Sequence, residues 1–195
     1  MKIVDVSENN NVVDFGALKA AGVEGAIVRL GYGKGHLDSK FYENINNAID
    51  TGLKVGVYHY SYALNEHDAE IEAQFILDVL SQSGLTPKRL ELGVWHDMED
   101  ADGYKERHGM PSGQILTNIA SHVINRLWRE GYSNAGLYAN YDYIVNKLKM
   151  DQLGCDIWYA QYSNQMDWID HRVKLWQYTM SANINGQLYD MSRTV

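Results

Sequence analysis

Short apolar runs rich in β-branched and aromatic residues recur along this chain, and most of the intervals between them carry helical periodicity. The runs cover residues 2–6, 25–30, 54–60, 92–98, 135–139, 156–161, 173–178 and 188–191, which gives eight predicted strands. Helices are predicted over 14–21, 39–50, 66–82, 112–130 and 141–149. Asp14, Ser39 and Ser112 stand where side-chain caps belong, and Gly22 and Gly131 stand where helices stop. Ile71, Phe75 and Val79 mark the apolar face of the third helix, and Ile115, Ile119, Val123 and Leu127 that of the fourth.

Strands that alternate with helices pair in parallel, because each crossover must return to the same end of the sheet. After the fifth helix the pattern changes. The remaining gaps are roughly ten residues without helical periodicity, shorter than a helical crossover needs. The last strands are therefore expected to join by loops, with some antiparallel pairing. A full eight-unit barrel takes about 250 residues, and the chain has 195. The expected fold is α/β: an irregular TIM-like barrel, (β/α)5β3, in a single domain over 1–195. An open doubly wound sheet is the competing architecture.

The formal charge is −8, and Lys and Arg do not cluster. A nucleic-acid partner is therefore not expected. No stretch approaches the roughly 20 apolar residues of a membrane span, so no membrane insertion is expected. The start, Met1-Lys2-Ile3-Val4-Asp5, lacks the apolar region of a signal peptide. Synthesis in the cytoplasm is the expectation. Cys155 is the single cysteine and reads as a small buried thiol. No zinc-protease spacing and no Gly-x-Ser-x-Gly elbow occurs, so neither a metal nor another cofactor is expected.

In a parallel barrel, functional groups gather at the C-terminal ends of the strands. Asp5, Asp97, Glu99 and Asp190 all fall at such ends. Side chains alternate along a strand, so Asp97 and Glu99 share a face, with Cβ atoms roughly 6–7 Å apart. His96 points the other way; it and His59 read as buried, hydrogen-bonded histidines. Asp5 and Asp190 lie on the first and last strands, which are neighbours once a barrel closes. Carboxyls crowded into one mouth resist full ionisation, and a carboxyl that keeps its proton is what a general acid requires. Paired carboxyls are the machinery of glycoside hydrolysis. Asp100 and Asp102 read as solvated loop carboxylates, and Glu8, Asp14 and Asp38 as surface or capping groups. Fourteen tyrosines and five tryptophans include candidates to stack on sugar rings at strand ends: Tyr60, Tyr62, Tyr138, Tyr162 and Trp176.

These segments resemble the family 25 glycoside hydrolases, the Chalaropsis-type lysozymes of bacteria, fungi and phages. The resemblance runs through Asp5-Val6-Ser7-Glu8-Asn9-Asn10, Arg29-Leu30-Gly31-Tyr32-Gly33, Gly56-Val57-Tyr58-His59-Tyr60 and Asp97-Met98-Glu99. It continues through Trp158-Tyr159-Ala160-Gln161-Tyr162, Trp176-Gln177-Tyr178-Thr179 and Asp190-Met191-Ser192, in order across nearly the whole chain. It implies a (β/α)5β3 barrel and hydrolysis of the β-1,4 bond between N-acetylmuramic acid and N-acetylglucosamine in bacterial peptidoglycan. It implies Glu99 as general acid. Asp97 is then a nucleophile or the group that orients the substrate's N-acetyl group, and Asp5 and Asp190 are supporting carboxylates. Asn10 stands where the family has Gln, and Ser192 where it has Asn; both are expected to bear on substrate positioning. Relatives often carry a C-terminal wall-binding module. The expectation is a phage endolysin catalytic domain that reaches the wall after release. The rivals are a chitinase-like glycosidase, a non-catalytic carbohydrate-binding barrel and a metal-dependent hydrolase.

Overall fold

The computed structural model describes residues 1–195. The strands are Lys2–Val6 (β1), Gly25–Tyr32 (β2), His36–Leu37 (β3), Lys54–Tyr60 (β4), Val94–Asp97 (β5), Ala135–Asn140 (β6), Ile157–Ala160 (β7), Val173–Ile184 (β8) and Gln187–Thr194 (β9). The helices are Phe15–Ala20 (α1), Phe41–Asp50 (α2), Glu66–Gln82 (α3), Tyr104–Arg107 (α4) and Gly113–Arg129 (α5). All strands belong to one sheet, ordered β1-β9-β8-β7-β6-β5-β4-β2-β3. Pairing of β1 with β2 closes eight of them into a barrel. The pairs from β1 and β2 round to β8 are parallel, whereas β9 runs antiparallel to both β8 and β1. The barrel and its late antiparallel strand follow the expectation from spacing.

Asp14 caps α1 by accepting from Ala17 N at 2.9 Å, and Ser112 caps α5. Other elements depart from the sequence reading. Ser39 does not cap α2, whose N-cap Lys40 makes no side-chain capping bond; the Ser39 hydroxyl donates to Glu8 instead. Ile115 is exposed, and Leu116 takes its place on the buried face of α5. The expected helix over 141–149 contains the π-helical turn Tyr143–Lys147 and ends at Leu148. Strand β8 continues to Ile184 and turns through Asn185 (φ 51°) and Gly186 (φ 86°) directly into β9. An Asn-Gly pair supplies the two left-handed residues that a tight hairpin needs, so a hairpin replaces the expected loop.

Alternation along the strands divides the apolar residues into two cores. A larger one packs between the sheet and the helices. A smaller one fills the lumen with Ile3, Ile27, Trp95, Tyr138, Trp158 and Leu175, supplemented by Leu92 and Ala160. The indole of Trp158 lies edge-on to Tyr138 (4.7 Å between ring centres), Trp95 (5.9 Å) and Tyr58 (6.1 Å). Its Nε1 donates to Ser192 Oγ at 2.9 Å. Ser192 is thus a buried barrel-closing contact, which departs from the expected part in substrate positioning. Room for Trp95 depends on Gly136, where a Cβ would lie 2.7 Å from the indole and 2.5 Å from the Asp156 carbonyl. Gly136→Ala is expected to overpack the lumen by about 1–3 kcal/mol. Thermal unfolding would record this as a fall in Tm of about 2–4 °C per kcal/mol; an unchanged Tm would contradict this packing.

Candidate active site

The aromatic floor leaves the C-terminal mouth of the barrel open. A cavity of about 330 Å³ lies there, and Asp5, Asp97, Glu99 and Asp190 all line it. Asp5 and Asp190 are register partners across β1 and β9. The hollow continues on both sides. One arm reaches Tyr32, Tyr62 and Asp102, and the other reaches Asn140, Tyr143 and Lys147. Shared linings, among them Tyr60 on one side and Tyr162 on the other, join the arms into one groove with the carboxylates at its centre.

Burial dominates the electrostatics. Asp97 is 3% exposed and Asp5 7%, while Glu99 and Asp190 are half-buried. Burial, with the Glu99 charge added, raises the Asp97 carboxyl well above its ordinary range. Burial and Asp190 raise Asp5 likewise, against the bond that Gln177 Nε2 donates at 3.0 Å. Burial raises Glu99, opposed by the Asn140 amide at 3.2 Å and by the Lys105 charge. Asp190 is raised by burial. Asp97 Oδ1 is enclosed and has no hydrogen-bond partner. The carboxyls of this mouth therefore hold their protons to higher pH than solvated carboxyls do.

The aromatic candidates separate. Tyr60, Tyr138 and Tyr162 line the central cavity, and Tyr62 lines one arm. Trp176 does not reach the groove. It faces the outer layer, where Nε1 donates to the Gln161 carbonyl at 2.9 Å and the Arg193 guanidinium lies 4.4 Å from the ring centre. Leu175 and Gln177 are the inward residues of β8, as alternation requires. Gln177 accepts from the Tyr138 and Tyr162 hydroxyls at 2.9 and 3.1 Å while donating to Asp5, so it orients three groups. Gln177, Arg29 and Asn140 are cavity or arm residues that the carboxylate-and-aromatic reading passed over. The strand alternation would have marked Gln177, and the end of β6 would have marked Asn140.

Some polar residues take other places than expected. Asn10 accepts from Ser7 N at 2.8 Å in a capping box, and its neighbour Asn9 lines the cavity instead. Asp38 is 1% exposed rather than superficial; it holds Arg29 Nε at 2.7 Å, and Glu8 holds the same guanidinium at 3.0 Å. Asp102 is tied to the Tyr62 hydroxyl at 2.6 Å. Asp100 accepts from the backbone of Lys105 and Glu106 at the start of α4. Cys155 is buried and its thiol is pushed up to about 11 by burial.

His96 does face away from Asp97, and with His59 it meets Glu72 of α3 on the outer side of the barrel. His59 bonds the Gly33 carbonyl at 2.9 Å, but neither ring nitrogen of His96 has a partner, contrary to the expected hydrogen-bonded pair. The donor atoms of His59, Glu72 and His96 lie within 4.8 Å of one another, the spacing of a possible metal site. Burial pushes Glu72 up to about 7 and both imidazoles down; the buried ammonium of Lys105 opposes the first shift and adds to the others. A second cation beside it is electrostatically disfavoured.

The sequence matches the model of the Glycosyl hydrolases family 25 over residues 4–187. The chain belongs to this family. It is 28% identical over 190 residues to the autolytic lysozyme of Clostridium acetobutylicum, covering 95% of this chain and 52% of that protein. The modular autolysin LytC of Streptococcus pneumoniae superposes with a TM-score of 0.86 at 28% identity, covering 98% of this chain and 46% of that one. The same autolysin has been solved in complex with a synthetic peptidoglycan ligand. A family 25 glycosyl hydrolase of Bacillus anthracis shares the fold, with a TM-score of 0.84 at 22% identity over 98% of this chain and 87% of that one. This family 25 chain thus spans about half the length of the lysozyme and the pneumococcal autolysin.

The raised carboxyl of Asp97 has a consequence for stability. Its folded pKa lies above its unfolded one, so the native state binds the extra proton and stability falls as pH rises from about 4. Asp97→Asn is expected to raise Tm at pH 7, by about 2–4 °C per kcal/mol relieved, and less near pH 4. Thermal melts at the two pH values check this; a lower Tm at pH 7 would contradict it.

Proposed function

We propose that this chain is a muramidase that hydrolyses the β-1,4 bond between N-acetylmuramic acid and N-acetylglucosamine in bacterial peptidoglycan, with Glu99 as general acid. The observation that carries this reading is the enclosure of Asp5, Asp97, Glu99 and Asp190 at the centre of one open-ended groove. A polymer can lie along such a groove and present an internal bond to its middle. Glu99 combines a raised pKa with partial exposure, so it keeps its proton to higher pH than a solvated carboxyl and can still reach a leaving oxygen. Family membership and the peptidoglycan ligand of the pneumococcal autolysin support the choice of substrate.

Asp97 works through the substrate in this reading. Its enclosed Oδ1 lacks a donor, and the N–H of an N-acetyl group would supply one. That bond would turn the acetamido oxygen toward the anomeric carbon, so the oxygen attacks as the proton from Glu99 passes to the departing sugar oxygen. Water then opens the resulting ring, with Glu99 taking a proton back. Asp5, held by Gln177, and Asp190 supply negative charge beside the oxocarbenium-like centre. Tyr60, Tyr62, Tyr138 and Tyr162 contact the sugars along the groove. The −8 charge gives little attraction to an anionic wall. Affinity therefore rests on the groove or on a separate wall-binding module.

Turbidity loss of bacterial walls tests the assignment. Glu99→Gln is expected to lower the rate by about 100-fold or more with Tm maintained. A folded variant as active as the wild type would remove Glu99 from the mechanism. Chitin separates the rival glycosidase: the wild type is expected to release product from walls and far less from chitin, and the reverse order would favour a chitinase.

A further inference from the structure

Lys105 is the second residue of the four-residue helix α4, yet its side chain is fully buried. Burying an ammonium is expensive unless it is paired and hydrogen-bonded. Here Nζ donates to the Ser61 carbonyl at 2.5 Å and to the Glu99 carbonyl at 2.6 Å. Ser61 follows the last residue of β4, and Glu99 lies two residues beyond the end of β5. One ammonium therefore ties together the exits of two neighbouring barrel strands.

The surroundings extend this tie to both sides of the groove. Glu72 of α3 is fully buried, accepts from Ser61 Oγ at 2.7 Å and from Tyr62 N at 2.8 Å, and counters the Lys105 charge. Asp100 fixes the backbone of Lys105 at 2.7 Å. Tyr62 stacks on Tyr104, the residue before Lys105, with ring centres 4.4 Å apart. The tyrosine wall, the loop carrying Glu99 and α4 are thus one hydrogen-bonded unit. None of these contacts leaves the Lys105 ammonium exposed to substrate.

We propose that Lys105 is a positioning residue: its buried ammonium holds the backbone of Glu99 in register with the tyrosine wall that follows β4. The inference rests on reading Glu99 as the general acid. The charge of Lys105 also acts on Glu99, favouring the ionised form against burial and against Asp5, Asp97, Asp102 and Asp190. Arg29, across the cavity, is already matched by Asp38 and Glu8. On the outer side, His59 and His96 are neutral neighbours of Lys105, because burial depresses both. Removing the ammonium should therefore displace Glu99 and raise the pH at which it loses its proton.

The test compares wild type with Lys105→Met/Glu72→Gln, which removes the buried ammonium together with the carboxyl that faces it, and with Glu72→Gln alone. For the double variant, kcat on walls is expected to fall about 10–100-fold, with KM changed by less than about threefold. The alkaline limb of its pH profile is expected to move upward by about one pH unit. Glu72→Gln alone keeps the ammonium and its two carbonyl bonds, so its kcat is expected to lie well above that of the double variant; equal losses in the two would overturn the proposal. A folded double variant with unchanged kcat and pH profile, even at a lower Tm, would overturn the proposal, because a merely structural lysine would behave that way. NMR of the wild type supplies a reading independent of variant folding and of substrate. Slowly exchanging Lys105 ammonium protons, with couplings through the hydrogen bonds to the Ser61 and Glu99 carbonyl carbons, are expected. A freely exchanging ammonium would overturn the proposal. A wild type inert on walls but showing these couplings would refute the muramidase reading while leaving the clamp standing.

Discussion

The contact on which the most depends is the indole of Trp158 lying across the lumen. It meets Tyr58, Trp95 and Tyr138 edge-on and reaches Ser192 on β9, so it seals the barrel from several sides and ties in the antiparallel strand. Below it the lumen is apolar, with Ile3, Ile27 and Leu175. Above it the inward positions carry Asp5, Asp97 and Gln177. The aromatic layer is the floor that keeps water from approaching those carboxyls from beneath. Their raised pKa values follow from that enclosure, with mutual repulsion added.

This arrangement opposes stability at the mouth and recovers it nearby. Four carboxyls at one strand-end mouth repel one another when ionised, and Asp97 lacks a compensating donor. The elements that carry them are held by contacts the reaction does not consume. Arg29 is gripped by Asp38 and Glu8, Asp5 by Gln177, and the Glu99 backbone by Lys105. Buried charge at a working site, balanced by its supports, is a recurrent trade between stability and activity.

The barrel was legible because its signals are periodic. The strand starts at residues 2, 25, 54, 135 and 173 coincide with those read from apolar runs, since each interior strand must bury both faces. Asp97 and His96 fell on opposite sides for the same reason. Trp176 was misplaced because a large aromatic at a strand end reads alike whether it faces the lumen or the helices. Only the phase set by Leu175 and Gln177 separates the two. The Asn185-Gly186 turn was a local signal left unread. Lys105 and Asp38 were beyond reach for another reason: the bonds from Lys105 to the Ser61 carbonyl and from Arg29 to Asp38 span 44 and 9 residues, and no local pattern announces them. The family resemblance implied roles for carboxylates that the strand ends had already marked, but carried nothing about how they are supported.

The bond that is cut decides the activity of this groove. Digestion of purified peptidoglycan, borohydride reduction of the released ends and mass spectrometry of the fragments identify the sugar at the new reducing end. Reduced N-acetylmuramic acid at that position is the expected result. Reduced N-acetylglucosamine, or fragments released without any new reducing end, would contradict it.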